Sequence, residues 1–167
     1  PAGQVDARQV SSLDIVPTAA AVAGAELPHD RVYDGVDLMP YLTGKDARVP
    51  NPTLYWRAGA TYAIRDGDNK LWEANKAAPG IEAGANRGAI APDGLEAKVG
   101  LYGRHVMLFD LARDPGETHN LVHQKPELAA ELQAKLAAWD KTLKPPQWTS
   151  KRQAYREYDD TVLQLFN

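Results

Sequence analysis

Asp110, Asp114, Glu117 and Asn120 crowd into one stretch, Leu108-Phe109-Asp110-Leu111-Ala112-Arg113-Asp114-Pro115-Gly116-Glu117-Thr118-His119-Asn120-Leu121. Carboxylates with an amide oxygen are the hard donors that a calcium ion takes. Their spacing matches no calcium loop such as the EF-hand. An aspartate ahead of proline, with glutamate and asparagine following, is better explained by turn and capping hydrogen bonds. His119 and His123 would share a helix face, but Pro126 marks the start of the nearest helix and no third ligand is offered. With His29 and His105 they are read as surface histidines. Arg57 follows the aromatic pair Tyr55-Trp56 at a strand end, so its guanidinium could meet an anion at the rim of a cleft or be paired within the fold. Trp56, Trp72, Trp139 and Trp148 could stack on a sugar ring. Trp139 belongs to a helix stripe and Trp72 reads as core, which leaves Trp148 as the exposed one. Arg57 and Trp148 are thus the candidate substrate-binding residues, and no catalytic or metal-binding residue is assigned.

These residues must be positioned by a modest set of elements. Thr53 to Arg57, Tyr62 to Arg65, Lys70 to Glu73 and Val106 to Leu111 read as strands, with Asp66-Gly67-Asp68-Asn69 as a hairpin turn. Alternation places Ile64 and Leu71 inward and Arg65 and Lys70 outward, as in an antiparallel sheet with one wet face. Pro126 to Leu143 is the strongest helix pattern, with Leu128, Leu132, Leu136, Trp139 and Leu143 on one stripe. Upstream, Ser11 and Ser12 offer capping oxygens, Asp14 supplies charge to a helix N-terminus, Pro17 suits a first turn and Gly24 a stop. The small side chains of that helix suggest a larger partner surface. Leu27 to Pro52 reads as an irregular crossing with one helical turn near Leu38 to Leu42, and Ala77 to Gly100 as a long surface loop in which Arg87 and Lys98, with Lys76 beside it, could border an anionic substrate. In the tail, Val162 to Phe166 is a late strand candidate. The expected class is α+β, a four-stranded antiparallel sheet packed against a C-terminal helix.

Composition narrows the function. The chain has 167 residues, 44% hydrophobic and 25% charged, as in ordinary globular proteins. A net charge of -3 gives no electrostatic case for nucleic acid or an acidic membrane surface. No apolar run approaches the roughly 20 residues that span a bilayer. Without cysteine, disulfides, thiolate metal sites and cysteine nucleophiles are excluded within these residues. Pro1-Ala2-Gly3-Gln4 reads as the middle of a chain.

Four segments in order resemble the sulfatase family. Ser11-Ser12-Leu13-Asp14-Ile15-Val16-Pro17-Thr18, with Ala23-Gly24 and Leu27-Pro28, is similar to its S-x-x-D-(I/L)-x-P-T element. Asp34-Gly35-Val36-Asp37-Leu38-Met39-Pro40-Tyr41-Leu42-Thr43-Gly44 is similar to D-G-x-D-L-x-P-x-L-x-G. Leu54 to Arg57 and Ala63 to Leu71 resemble the W-R and A-x-R-x-G-x-(W)-K-L elements of the arylsulfatase and N-acetylgalactosamine-6-sulfatase branch, with Asn69 where that branch often has tryptophan. The aspartate-proline-glutamate stretch completes the series. The resemblance implies the C-terminal portion of a sulfatase: residues 1–50 as the end of a large alkaline-phosphatase-like α/β domain plus crossover, and 51–167 as the sheet and helix subdomain. It implies hydrolysis of a sulfate ester by the full-length protein, with a formylglycine nucleophile made from a C/S-x-P-x-R motif and a bound calcium ion. Neither the motif nor the metal ligands occur in this chain, so no cofactor is expected here and the chain alone is expected to be inactive. The implied partners are an N-terminal catalytic domain of the same polypeptide and a sulfated small molecule or glycan, with neither nucleic acid nor membrane. The resemblance alone suggests a periplasmic or secreted protein. Two rivals stand beside it: a phosphonate or phosphodiester hydrolase of the same superfamily, and a non-catalytic binding or structural module.

Overall fold

The computed structural model describes residues 3, 5–58, 61–74, 105–144, 153–158 and 161–166. The chain divides into two compact units, Pro1–Pro52 and Thr53–Asn167.

In the first unit a turn of 3-10 helix, Ser12–Asp14, runs directly into α1, Ile15–Ala23. Ser11 and Asp14 form a capping box: the Ser11 hydroxyl accepts from the Leu13 N–H at 3.2 Å, and the Asp14 carboxylate accepts from the Ser11 N–H at 2.7 Å. Gly24 ends α1 in the left-handed region at φ 66°, where a side chain would be strained. The short α2 spans Met39–Leu42.

The irregular backbone of this unit is held by side chains, because it lacks a ladder to satisfy its polar groups. The fully buried Asp14 carboxylate accepts from the Val36 N–H at 2.9 Å and from Asn51 Nδ2 at 2.7 Å. Thr18 donates to the Asp14 carbonyl at 2.6 Å and accepts from the Leu38 N–H at 2.9 Å. Gln9 donates to the Asn51 carbonyl at 2.7 Å, and the Arg8 guanidinium reaches the carbonyls of Tyr41, Asp46 and Arg48. Gly35 lies so close to this hub that a Cβ there would stand 2.1 Å from the Leu13 carbonyl oxygen. By contrast Leu13, Ile15, Val16 and Val22 remain exposed.

The second unit is built on an antiparallel sheet in the order β1-β2-β3-β4, with β1 at Thr53–Ala58, β2 at Thr61–Asp66, β3 at Asn69–Ala74 and β4 at His105–Asp110. The β2–β3 turn is a two-residue hairpin loop between paired Asp66 and Asn69, with Gly67 at φ 58°. The ladder aligns Ile64, Leu71 and Leu108 across three strands on one face. Onto that row packs α3, Pro126–Asp140, through Ala129, Leu132 and Leu136, with Tyr62 completing the buried cluster and Leu128 and Trp139 at its margin. The Trp139 ring stacks on Tyr55 at 5.1 Å with an interplanar angle of 12°. Polar pins surround the core: Lys135 meets Asp66 at 2.6 Å, and Gln133 donates to the buried Glu73 at 2.7 Å.

Two expectations need correction, and one is extended. α3 closes at Asp140, so Leu143 sits in the turn beyond it. The helix stops earlier because Lys141 to Leu143 fold into turns, whose amides bond the carbonyls of Ala137, Trp139 and Asp140. The second sheet face is also less wet than alternation suggests, since Met107 and Phe109 form a second buried cluster with Trp72 and Leu111. In the tail, the expected strand is β6, Thr161–Phe166, and it pairs with a strand the periodicity did not reveal, β5, Gln153–Tyr158. The loop expected over Ala77 to Gly100 lies outside the described residues.

Leu136→Ala is expected to cost about 2–5 kcal/mol, because a completely enclosed side chain leaves a cavity the sheet cannot close; urea unfolding measures it. Asp14→Asn turns one acceptor oxygen into a donor facing the donors of Ser11, Val36 and Asn51. It should destabilise the first unit by about 1–3 kcal/mol, seen as faster hydrogen exchange at the Val36 and Ser11 amides. The Lys135 ammonium, with the Thr53 hydroxyl, holds the Asp66 carboxyl below the usual carboxylate range. A carboxyl whose pKa is depressed on folding stabilises fully above its unfolded pKa, and that stability is lost as pH falls through the folded one. Lys135→Met should therefore flatten the acid-side fall in urea midpoint between about pH 5 and pH 2.

Candidate functional site

Arg57 lies near the end of β1 on the face covered by α3, because it pairs with Tyr62 and stands two residues from Tyr55. Its Nη1 donates to Asp140 Oδ1 at 3.1 Å and its Nη2 to the Lys144 carbonyl at 2.7 Å. One guanidinium thus ties the sheet to the last helical residue and to the turn after it. A planar fork suits this double duty, which the point charge of a lysine would not reproduce. The neighbouring Tyr62 hydroxyl is pushed above its ordinary pKa, first by burial and then by the Asp140 carboxylate, while Arg57 pulls it back. The second candidate, Trp148, lies outside the described residues.

The acidic stretch resolves into a turn. Asp114 accepts from the Thr118 hydroxyl at 2.9 Å and the His119 N–H at 2.8 Å. Asn120 Oδ1 accepts from the Leu108 and Val122 amides at 3.0 Å each, which joins the turn to the outer edge of β4. Glu117, held in the left-handed region at φ 56°, pairs with Lys70 at 2.6 Å. Asp110 lies 4.0 Å from Arg113 Nε as a loose ion pair. Asp114 and Asn120 make the turn hydrogen bonds, while Glu117 and Asp110 form ion pairs. Among the described residues no group of three or more histidines, aspartates and glutamates could hold a metal ion. The residues present here therefore do not fit the calcium site that the sequence resemblance implies for a whole enzyme. Lys76, Arg87 and Lys98 lie outside the described residues.

No family model matches the chain. Steryl-sulfatase of Rattus norvegicus is 33% identical over 129 residues, covering 71% of this chain and 22% of that protein. Arylsulfatase A of Bos taurus is 37% identical over 131 residues, covering 74% and 24% respectively. The chain belongs to the sulfatase family. It spans less than a quarter of the length of these two relatives. A solved structure described with the words "metabolism of multiple glycosaminoglycans by Bacteroides thetaiotaomicron" aligns with a TM-score of 0.51 at 26% identity, covering 77% of this chain and 24% of that one.

Family membership makes sense of the ordered segments. The S-x-x-D element is the capping box, with its aspartate buried, and the D-G-x-D-L element places Gly35 against Leu13 and Val36 on Asp14. The W-R element supplies Trp56 and the Arg57 clamp. What sequence reasoning missed is the partnership of Asp14 with Asn51, which lie 37 positions apart and carry no local pattern. Arg57→Ala should lower stability by about 1.5–3 kcal/mol, the range for hydrogen bonds to charged groups. A double-mutant cycle with Asp140→Asn should show that the two losses are not additive.

Proposed function

We propose that this chain is the C-terminal part of a sulfuric ester hydrolase acting on a sulfated glycan or an aryl sulfate. In this reading it closes one side of the substrate cleft and shapes specificity, while the nucleophile lies elsewhere in the polypeptide. The observation that carries the reading is 33–37% identity to steryl-sulfatase and arylsulfatase A over more than two thirds of this chain but less than a quarter of theirs. The cysteine-free composition agrees with it, as does the lack of any C/S-x-P-x-R motif.

Formylglycine and calcium would then be furnished by residues beyond this chain, as nucleophile and as electrostatic support for the sulfate. The contribution of the present residues is to bind and orient. Arg57 and Trp148 remain the proposed substrate contacts, Arg57 acting from the rim while clamping α3. The exposed apolar side chains Leu13, Ile15, Val16 and Val22 suit packing against an N-terminal catalytic domain of alkaline-phosphatase-like α/β fold. No helix among the described residues is long and apolar enough to cross a membrane. A periplasmic or secreted location is part of the same proposal and rests on the family alone.

The coding sequence upstream of Pro1 is the first test. An open frame of several hundred codons carrying C/S-x-P-x-R is the expected result, and a start codon directly before Pro1 would overturn the reading. The whole polypeptide should release sulfate from 4-nitrophenyl sulfate, and should lose that activity on chelation of calcium or on alanine replacement of the motif's cysteine or serine. Trp148→Ala should raise KM more than it lowers kcat.

A further inference from the structure

In the first unit, α1 and the segment that follows it border an open cleft of about 460 Å³. That volume lies within the roughly 300–1,000 Å³ of small-molecule sites. The floor is apolar. Pro17, Ala20 and Ala21 share one face of α1 at i, i+3, i+4 spacing, and Leu27 lines the cleft from beyond the helix. The short alanine side chains leave room that a leucine would fill. Ile15 and Val22, both exposed and seven positions apart, lie across the helix from this face. Packing of that pair against a neighbouring domain therefore leaves the cleft open.

The rim is charged, and its unmatched charge is negative. Arg31 gives its Nε and Nη2 to the two Asp30 oxygens at 2.8 Å each, so its cation is already paired. Glu26 and Asp37 also line the cleft, and neither has a cationic partner among the described residues. Asp37 accepts the Met39 N–H at 2.9 Å through Oδ1. The last turn of α1 carries no basic residue to meet the negative end of the helix dipole, which points toward this segment. Tyr33 adds an aromatic ring, whose face attracts organic cations. An apolar floor beneath two unmatched carboxylates suits a ligand with a hydrocarbon body and a positive head.

We propose that this cleft binds a small organic cation, an aryl- or alkylammonium. Its hydrocarbon body rests on Ala20, Ala21 and Leu27, and its ammonium group faces Glu26 and Asp37. Binding is non-covalent and involves no sulfate ester. The site goes beyond the hydrolase reading, and neither claim depends on the other.

The test is titration of the 167-residue chain with phenethylammonium, followed by calorimetry and by amide shifts in nitrogen-edited NMR spectra. Saturable binding is expected, with shifts concentrated at Ala20, Ala21 and Leu27. Phenethyl alcohol, the neutral analogue, and hydrocinnamate, the anionic one, should bind at least about tenfold more weakly, or about 1.4 kcal/mol. Glu26→Gln combined with Asp37→Asn should cause a similar loss, since the asparagine keeps an oxygen for the Met39 amide while removing the charge. Ala21→Leu should abolish binding by filling the floor, because leucine is nearly as good a helix former as alanine and the unfolding midpoint should stay near wild type. Equal affinity for the alcohol or for hydrocinnamate would overturn the proposal, as would unchanged binding in Ala21→Leu or no saturable binding at all. So would a longer polypeptide, carrying the upstream residues, that no longer binds phenethylammonium, since another part of the protein would then fill the cleft.

Discussion

The burial of Leu132 and Leu136 against Ile64, Leu71 and Leu108 is the interaction on which the second unit depends. It penalises any slip of register, since a one-residue shift would turn each apolar row to the opposite face. Once α3 is seated, its length determines which polar groups meet. Lys135 falls over Asp66, Gln133 over Glu73 and Asp140 over Arg57. The polar pins are consequences of the packing and add direction to it. Hydrophobic burial is non-directional, whereas charged hydrogen bonds choose one seating among several of similar area.

The first unit solves a different problem with almost no regular structure. Its backbone amides need acceptors, and a single buried carboxylate accepts from two of them and from one side-chain amide. A buried charge is tolerated only when its lone pairs are engaged. Asp14 meets that condition through residues drawn from three separated stretches of chain. Gly35 belongs to the same solution, because only a residue without a Cβ lets the Val36 amide approach. The sulfatase-like segments of this unit thus look structural in origin, being the residues that fold an irregular crossing.

Within the sheet the division of labour between faces is the other organising fact. Acidic groups on the helix side are matched by Lys135, Gln133 and Arg57. On the other side Arg65 has no carboxylate counterpart among the described residues. In an enzyme family whose relatives are named for sulfated sterols and aryl sulfates, the structural clamp and the unmatched face are two separate uses of arginine. Arg57 commits two of its donors to the fold, and Arg65 bonds the Gly67 carbonyl through its Nε.

Local physics made much of this legible from sequence. The strands are within a residue of their expected ends, because alternation and a Gly67 turn leave little choice. The stripe from Leu128 to Trp139 identified α3 and the side it buries. The acidic stretch was correctly read as a turn, because aspartate and asparagine oxygens bond nearby amides wherever proline and glycine break the chain. Family membership was legible too, from the order of four short segments. The pairing of Asp14 with Asn51, the engagement of Arg57 by Asp140 and the exposure of Trp56 were decided only in three dimensions. Each depends on residues far apart in the chain, and periodicity records which way a side chain points but not what stands opposite it.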